Sequence, residues 1–247
     1  MNFRICLRCL TPVILFAWSF ASVCAQEQKR EVRIVDGTCD PQSPIEVGGK
    51  LFVIEEIRNQ KLLVSFEGNV TAKNVSQKRI LALVTELDLS SSYAPVMHGD
   101  FRDDRFFSSD LLEPDQLEEL AHEDATRKSS EDYRQSVPAT PPRDPIAKVQ
   151  VLYVQFEDGS TFRALGGPNT LYQDRAASLW ALKQLNRVLS SAGKDGFEAS
   201  LREVPDYNAP LGVLQTISKV LQTGGVDKAV DRMQAMLRLT AARQTLM

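Results

Sequence analysis

The spacing of apolar residues changes once along this chain, near Gly166, and that change constrains the fold more than any other feature. Before it, apolar side chains recur at every second position or in short unbroken runs. After it, they recur at every third or fourth. The first rhythm belongs to strands and the second to amphipathic helices. A chain that carries them in separate halves is expected to be of the α+β class.

In the first half, Lys50 to Ile57, Lys61 to Val70, Lys78 to Leu89 and Ala147 to Phe156 read as strands. Lys78 to Leu89 is apolar at both parities and predicts a strand covered on both faces. Asp158-Gly159 separates Phe156 from Thr161 and predicts a hairpin with a type I′ turn. Several short strands joined by turn residues predict an antiparallel β-sandwich over residues 45–167. The residues before it, 26–44, read as an N-terminal extension. A long polar stretch, 90–145, interrupts the strands; its one regular piece is a short helix expected near Pro114 to Ala121. Lys128 to Pro145 is proline-rich and weakly apolar, which predicts a mobile segment.

Residues 168–247 predict a helical subdomain. Asp174 to Ala192 carries Ala176, Leu179, Trp180, Leu182, Leu185, Val188 and Leu189 on one broad stripe, with Gly193 as its stop. A short helix is expected at Asp195 to Glu203 and further helices at Pro210 to Thr223 and Val226 to about Gln244, with Asn208 as a cap and Gly224-Gly225 as a break.

The N-terminus carries Arg4 and Arg8, then an apolar run from Leu10 to Ala21, then Val23 and Ala25 before a polar segment. A basic start, a short apolar core and a small-residue exit predict a cleavable signal peptide over residues 1–25. The expected protein is exported, periplasmic or secreted, with no transmembrane segment after cleavage. Loss of Arg4 and Arg8 leaves the rest more acidic than the net charge of −3 of the whole chain, a poor balance for binding nucleic acid. Of four cysteines, Cys6, Cys9 and Cys24 lie in the signal and Cys39 remains, so no internal disulfide is expected and a hydrophobic core must hold the fold. Asn69-Val-Thr and Asn74-Val-Ser match the glycosylation pattern.

The strand half resembles a loose pattern of exported bacterial proteins. A turn-rich Gly-Asn-Val-Thr-x-x-Asn-Val-Ser-x-Lys stretch (Gly68 to Lys78) leads into the Ile80 to Leu89 strand. Pro114 to Leu120 follows, and then the hairpin from Val151 to Ser160. Immunoglobulin-like modules of the FxLYD type are similar in this arrangement. The resemblance covers residues 45–165 and implies an immunoglobulin-like β-sandwich; it implies no activity or site residue.

Nucleophile elbows, zinc-protease motifs, phosphate loops and dinucleotide fingerprints do not occur in the sequence. The only histidines are His98 and His122. With Asp100, Asp103, Asp104, Glu123 and Asp124 they offer ligand chemistry, but without a recognised spacing, and no metal or cofactor is expected. Cys39 with either histidine is a thiol–imidazole pair in composition only, since Asp36 and Asp40 work against a thiolate. Tyr93, Phe101, Phe106 and Phe107 stud the polar stretch. They either anchor a partner or fold back on the sheet, and they are the candidate partner contacts. The expected role is a non-catalytic binding or interaction protein of the bacterial envelope, its partner a protein or glycan. One alternative is a hydrolase or carbohydrate-active enzyme using Asp100, Asp103, Asp104, Glu113 or Asp115. Another is a structural assembly subunit that forms homo-oligomers through the helical tail.

Overall fold

The computed structural model describes residues 26–58, 61–93, 95–121, 135–136, 143–164, 168–202 and 212–246. The expected signal peptide, His122 to Asp124, the proline cluster at 138–142 and the Asn208 cap lie outside the described residues.

The strand half is one mixed sheet, not an antiparallel sandwich. Its strands are β1 (Gln26–Asp36), β2 (Ile45–Arg58), β3 (Lys61–Asn74), β4 (Ile80–Ser90), β5 (Pro95–Asp104), β6 (Leu117–Ala121), β7 (Gln135–Ser136), β8 (Ile146–Phe156) and β9 (Thr161–Ala164). The order across the sheet is β5-β4-β8-β1-β2-β3-β6, with β7 on β3 and β9 on β8. The expected immunoglobulin-like sandwich fails at β1. That segment, read as an extension, pairs antiparallel with β2 and parallel with β8, and so joins what would have been two sheets.

The sheet curls until it is nearly a barrel. The segment after β5 carries the chain from one edge toward the other. Arg105 donates its backbone N–H to Leu81, Ile80 and Leu112 exchange a pair of backbone bonds, and β6 then pairs with β3. Arg105 reinforces the closure by bridging Asp103 and Glu118. Burial raises the carboxyl pKa of both acids above the ordinary range. One core fills the interior: Val32, Leu51, Val53, Phe66, Val70, Leu83, Leu87, Val149, Val151 and Val154 all belong to it. Side chains from seven strands meeting in one cluster is the packing of a curled sheet filled by its own residues.

β4 is covered on both faces only from Ile80 to Thr85; beyond it the burial alternates and Glu86 and Asp88 face outward, so the expectation of a strand buried on both sides holds for its first half. Its outer face, Ala82 and Val84, packs with Tyr153 and Leu171 under the first helix. The alternation of β8 changes phase at Tyr153, where the ladder carries a register shift. Val151 and Val154 therefore both face the core and Tyr153 faces out. The β8–β9 turn differs from the expected type. Gly159 alone is left-handed (φ 84°), and it donates to Phe156 O while Phe156 N donates to Ser160 O. That is a type I turn followed by a left-handed glycine.

Gly49 and Gly68 set how closely β2 and β3 approach; a Cβ at Gly49 would sit 2.5 Å from Asn69 O. Gly68 has φ 106°, and a Cβ there would sit 2.1 Å from Lys50 O. Gly68→Ala is expected to lower the unfolding free energy by about 1–3 kcal/mol through the left-handed backbone alone, with the clash adding to it. An unchanged urea midpoint would show that the two strands have room to part.

From Pro168 the chain is helical. α1 (Pro168–Arg202) breaks at Gly193 (φ 66°), and α2 (Gly212–Ala242) breaks at Gly225 (φ 82°). Both breaks fall at glycines expected to end helices, because only glycine enters that backbone region without cost. A Lys194–Asp227 ion pair joins the residues just past the two breaks. Leu182, Leu185, Phe197, Val213, Ile217, Met233 and Met236 form the helical core, and Leu81, Phe106, Phe107 and Leu111 of the sheet half complete it. Among the described residues no helix is long and apolar enough to cross a membrane.

Candidate functional site

Among the described residues of the stretch 90–145, the polar groups do not gather into one site. Asp104 and the carbonyls of Arg105, Phe106 and Ser108 join the curled sheet to the helical half. Arg175, on α1, has a fully buried side chain. Its Nε donates to Asp104 Oδ2 at 2.9 Å and its Nη2 to Asp104 Oδ1 at 2.8 Å. Its Nη1 donates to Gln155 Oε1 at 2.7 Å and to Leu246 O at 3.0 Å. The guanidinium also lies over the Phe106 ring, 4.5 Å from its centre. One cation thus holds β5, β8, the first helix and the end of the chain. A fork of fixed donors suits a carboxylate, an amide oxygen and a carbonyl at once. Beside it the Tyr153 and Tyr172 hydroxyls are 3.1 Å apart, and burial pushes the Tyr153 phenol well above its ordinary pKa.

Arg243 makes a second clasp. Its Nη1 donates to the carbonyls of Arg105 (3.1 Å), Phe106 (2.7 Å) and Ser108 (2.8 Å). Burial lowers its pKa from the ordinary value. Neither arginine is marked in the sequence, since each acts on residues far away along the chain.

The carboxylates that an enzyme reading requires are dispersed. Asp104 serves Arg175 and Asp103 serves Arg105. Glu113 faces Arg79 at 3.9 Å, Asp115 holds Lys73 at 2.8 Å, and Asp100 meets Arg102 at 3.3 Å. A glycosidase needs two carboxyls flanking one bond; here Asp100, Asp103 and Asp104 share β5 and each of the five acids is engaged in its own ion pair.

Of the four candidate aromatics, Phe106 is wholly buried and Phe107 nearly so, edge-to-face with centres 5.2 Å apart. Both sit in the core shared with the helices. Tyr93 and Phe101 are half-buried and pack on the core inside the sheet. Asn74 is also buried: its amide donates to the carbonyls of Lys78 and Leu112 and its Oδ1 accepts from Ser76. Those bonds make it a structural residue of the turn before β4. Cys39 is exposed, left-handed at φ 49°, and its Sγ approaches Asp36 O at 3.7 Å. No bond to a histidine accompanies it among the described residues.

Among the described residues, two further groups turned to solvent carry recognisable chemistry. His98 on β5 bonds Asp88 of β4 through Nδ1 at 2.6 Å, with Glu86 at 3.4 Å. The Asp88 carboxylate raises the imidazole pKa above its ordinary value. The second is Trp180, 65% exposed. The broad helical stripe reads it as core, but at 3.6 residues per turn it lies half a turn from Leu171 and Leu182. Gln173, Ala176, Lys183 and Arg187 share that outward face and are exposed with it. A strict helical wheel finds this face; a tally of apolar residues does not.

Comparison with known proteins found no match to any family model, curated protein or solved structure.

Proposed function

We propose that this chain is an exported, non-catalytic binding protein of the bacterial envelope, and that it meets its partner, a protein or a glycan, through the outward face of α1. The exposed indole of Trp180 carries this reading. A large aromatic side chain left in water on a rigid helix, one turn from Lys183 and two from Arg187, has the composition of an interface anchor. The sequence of residues 1–25, with its basic start and short apolar core, supports export. The dispersed ion pairs of Asp100, Asp103, Asp104, Glu113 and Asp115 weigh against the hydrolase reading.

The test uses purified protein as bait for envelope extract, beside a Trp180→Glu variant. Trp180 contributes little to the core, so the variant is expected to unfold at the same temperature. It should lose the captured component, as an interface aromatic that costs about 2 kcal/mol or more on truncation does. Equal capture by both proteins would reject the α1 face. Turnover of a glycan or ester substrate that falls when Asp100 is replaced would reject the non-catalytic reading.

A further inference from the structure

We infer that Glu86, Asp88 and His98 form a binding site for a first-row divalent metal ion of the zinc type, on the outer face of the β4–β5 ladder. Glu86 and Asp88 stand two residues apart on β4 and share one face of the sheet. The β4–β5 register places Asp88 opposite His98 and Glu86 opposite Asp100. One imidazole nitrogen and two carboxylate oxygens, one from each residue, lie within 4.8 Å of one another.

The donor set selects the metal. Nitrogen with two carboxylate oxygens suits zinc and its neighbours, whereas calcium and magnesium take oxygen ligands alone. Metal–donor distances of about 2.0–2.2 Å place the ligands of a tetrahedral zinc site a little over 3 Å apart. Glu86 and His98 already stand at 3.4 Å, while Asp88 and His98, at 2.6 Å, must separate slightly. His98 is 68% exposed, so a small rotation meets no packing. β4 is paired on both sides, to β5 and β8, so the two carboxylates start from a fixed frame.

A second feature, independent of the ligand geometry, points to a cation. Glu86 faces Asp100 directly across the ladder, and like charges so placed destabilise a sheet. Asp100 has a cation of its own, but among the described residues Glu86 and Asp88 are paired with no cationic group other than His98. Arg102 takes Asp100 at 3.3 Å and also reaches toward Asp174. Lys148, in register with Asp88 on β8, lies along Gly37. The cluster therefore keeps an excess of negative charge that a divalent ion would neutralise. With three protein donors, the remaining coordination position faces solvent, open to water or to a ligand atom from another molecule.

The site is tested by titrating Zn²⁺ into the untagged, chelator-treated protein by calorimetry. One ion per chain is expected. His98→Ala should weaken binding by at least the ten- to hundredfold that loss of a merely supporting group produces. Asp88→Asn and Glu86→Gln should do the same, while Cys39→Ser and Asp158→Asn should not. Millimolar Mg²⁺ should not displace the zinc. In nuclear magnetic resonance spectra the His98 ring signals should move on addition of one equivalent. The inference is overturned if no zinc binds at millimolar concentration. It is equally overturned if His98→Ala binds as tightly as the unaltered protein, or if Cys39→Ser abolishes binding.

Discussion

Arg175→Ala is expected to lower the unfolding free energy by about 3–5 kcal/mol, the usual cost of removing one partner of a buried ion pair. The size follows from what remains behind. Asp104 would lose its guanidinium bonds, at 2.8, 2.9 and 3.2 Å, and Gln155 and the Leu246 carbonyl would each lose a donor. A carboxylate left without its cation costs more than the pair contributes in place. The missing side chain also vacates the space above Phe106. The measurement is urea unfolding of Arg175→Ala, Asp104→Ala and the double variant. Removing both partners should cost less than the two single losses combined, because no charge is then left stranded. Strict additivity, or a single-variant loss near 1 kcal/mol, would show that the guanidinium is not the clasp. Hydrogen exchange adds a spatial readout. Amides of α1 and the segment near Leu246 should open first, since Arg175 is their tie to β5 and β8.

Local patterns in the sequence reveal much of this architecture; its long-range parts are hidden. β2, β3, β4 and β8 are legible because one face of each is buried and its apolar residues recur accordingly. Gly193 and Gly225 are legible because a helix that meets a left-handed backbone there needs glycine. β1 is not legible. Gln26 to Glu31 is polar at every position, and it is a strand because β2 lies beside it and β8 takes up the pairing from Arg33 onward. β6 is misread for the opposite reason. Leu117-Glu-Glu-Leu-Ala is built of good helix formers, yet pairing with β3 overrides that preference. The sandwich expectation fails at β1, since nothing local distinguishes two facing sheets from one sheet curled on itself. The junction is hidden by distance: Arg175 and Asp104 are 71 residues apart. Of the three ligands of the proposed metal site, one is legible in the sequence. His98 stood out as one of two histidines, but Glu86 and Asp88 are concealed inside an apolar strand, and only the ladder register brings them beside it.

Phe106→Ala is expected to cost about 3–5 kcal/mol, the range for truncating a buried aromatic, and to leave partner binding intact wherever the protein stays folded. This separates two meanings that an aromatic residue in a polar segment carries in sequence. Phe106 is fully buried, meets Phe107 edge-to-face, lies under the Arg175 guanidinium, and offers its carbonyl to Arg243. Its side chain contributes to the helical core and to the arginine clasp together, so its removal leaves a cavity and strips one face from a buried cation. Trp180 has the opposite profile: it is exposed, outside every buried cluster, and expected to affect binding without affecting stability. Thermal and urea unfolding of the two variants, compared at a temperature where both are folded, gives the contrast. A stable Phe106→Ala that no longer captures its partner would move the interface from α1 to the segment after β5. A cycle combining Phe106→Leu with Arg175→Ala measures the ring's own share. Leucine fills most of the volume but lacks the π face, so coupling that persists in this background belongs to packing, and coupling that vanishes belongs to the cation above the ring.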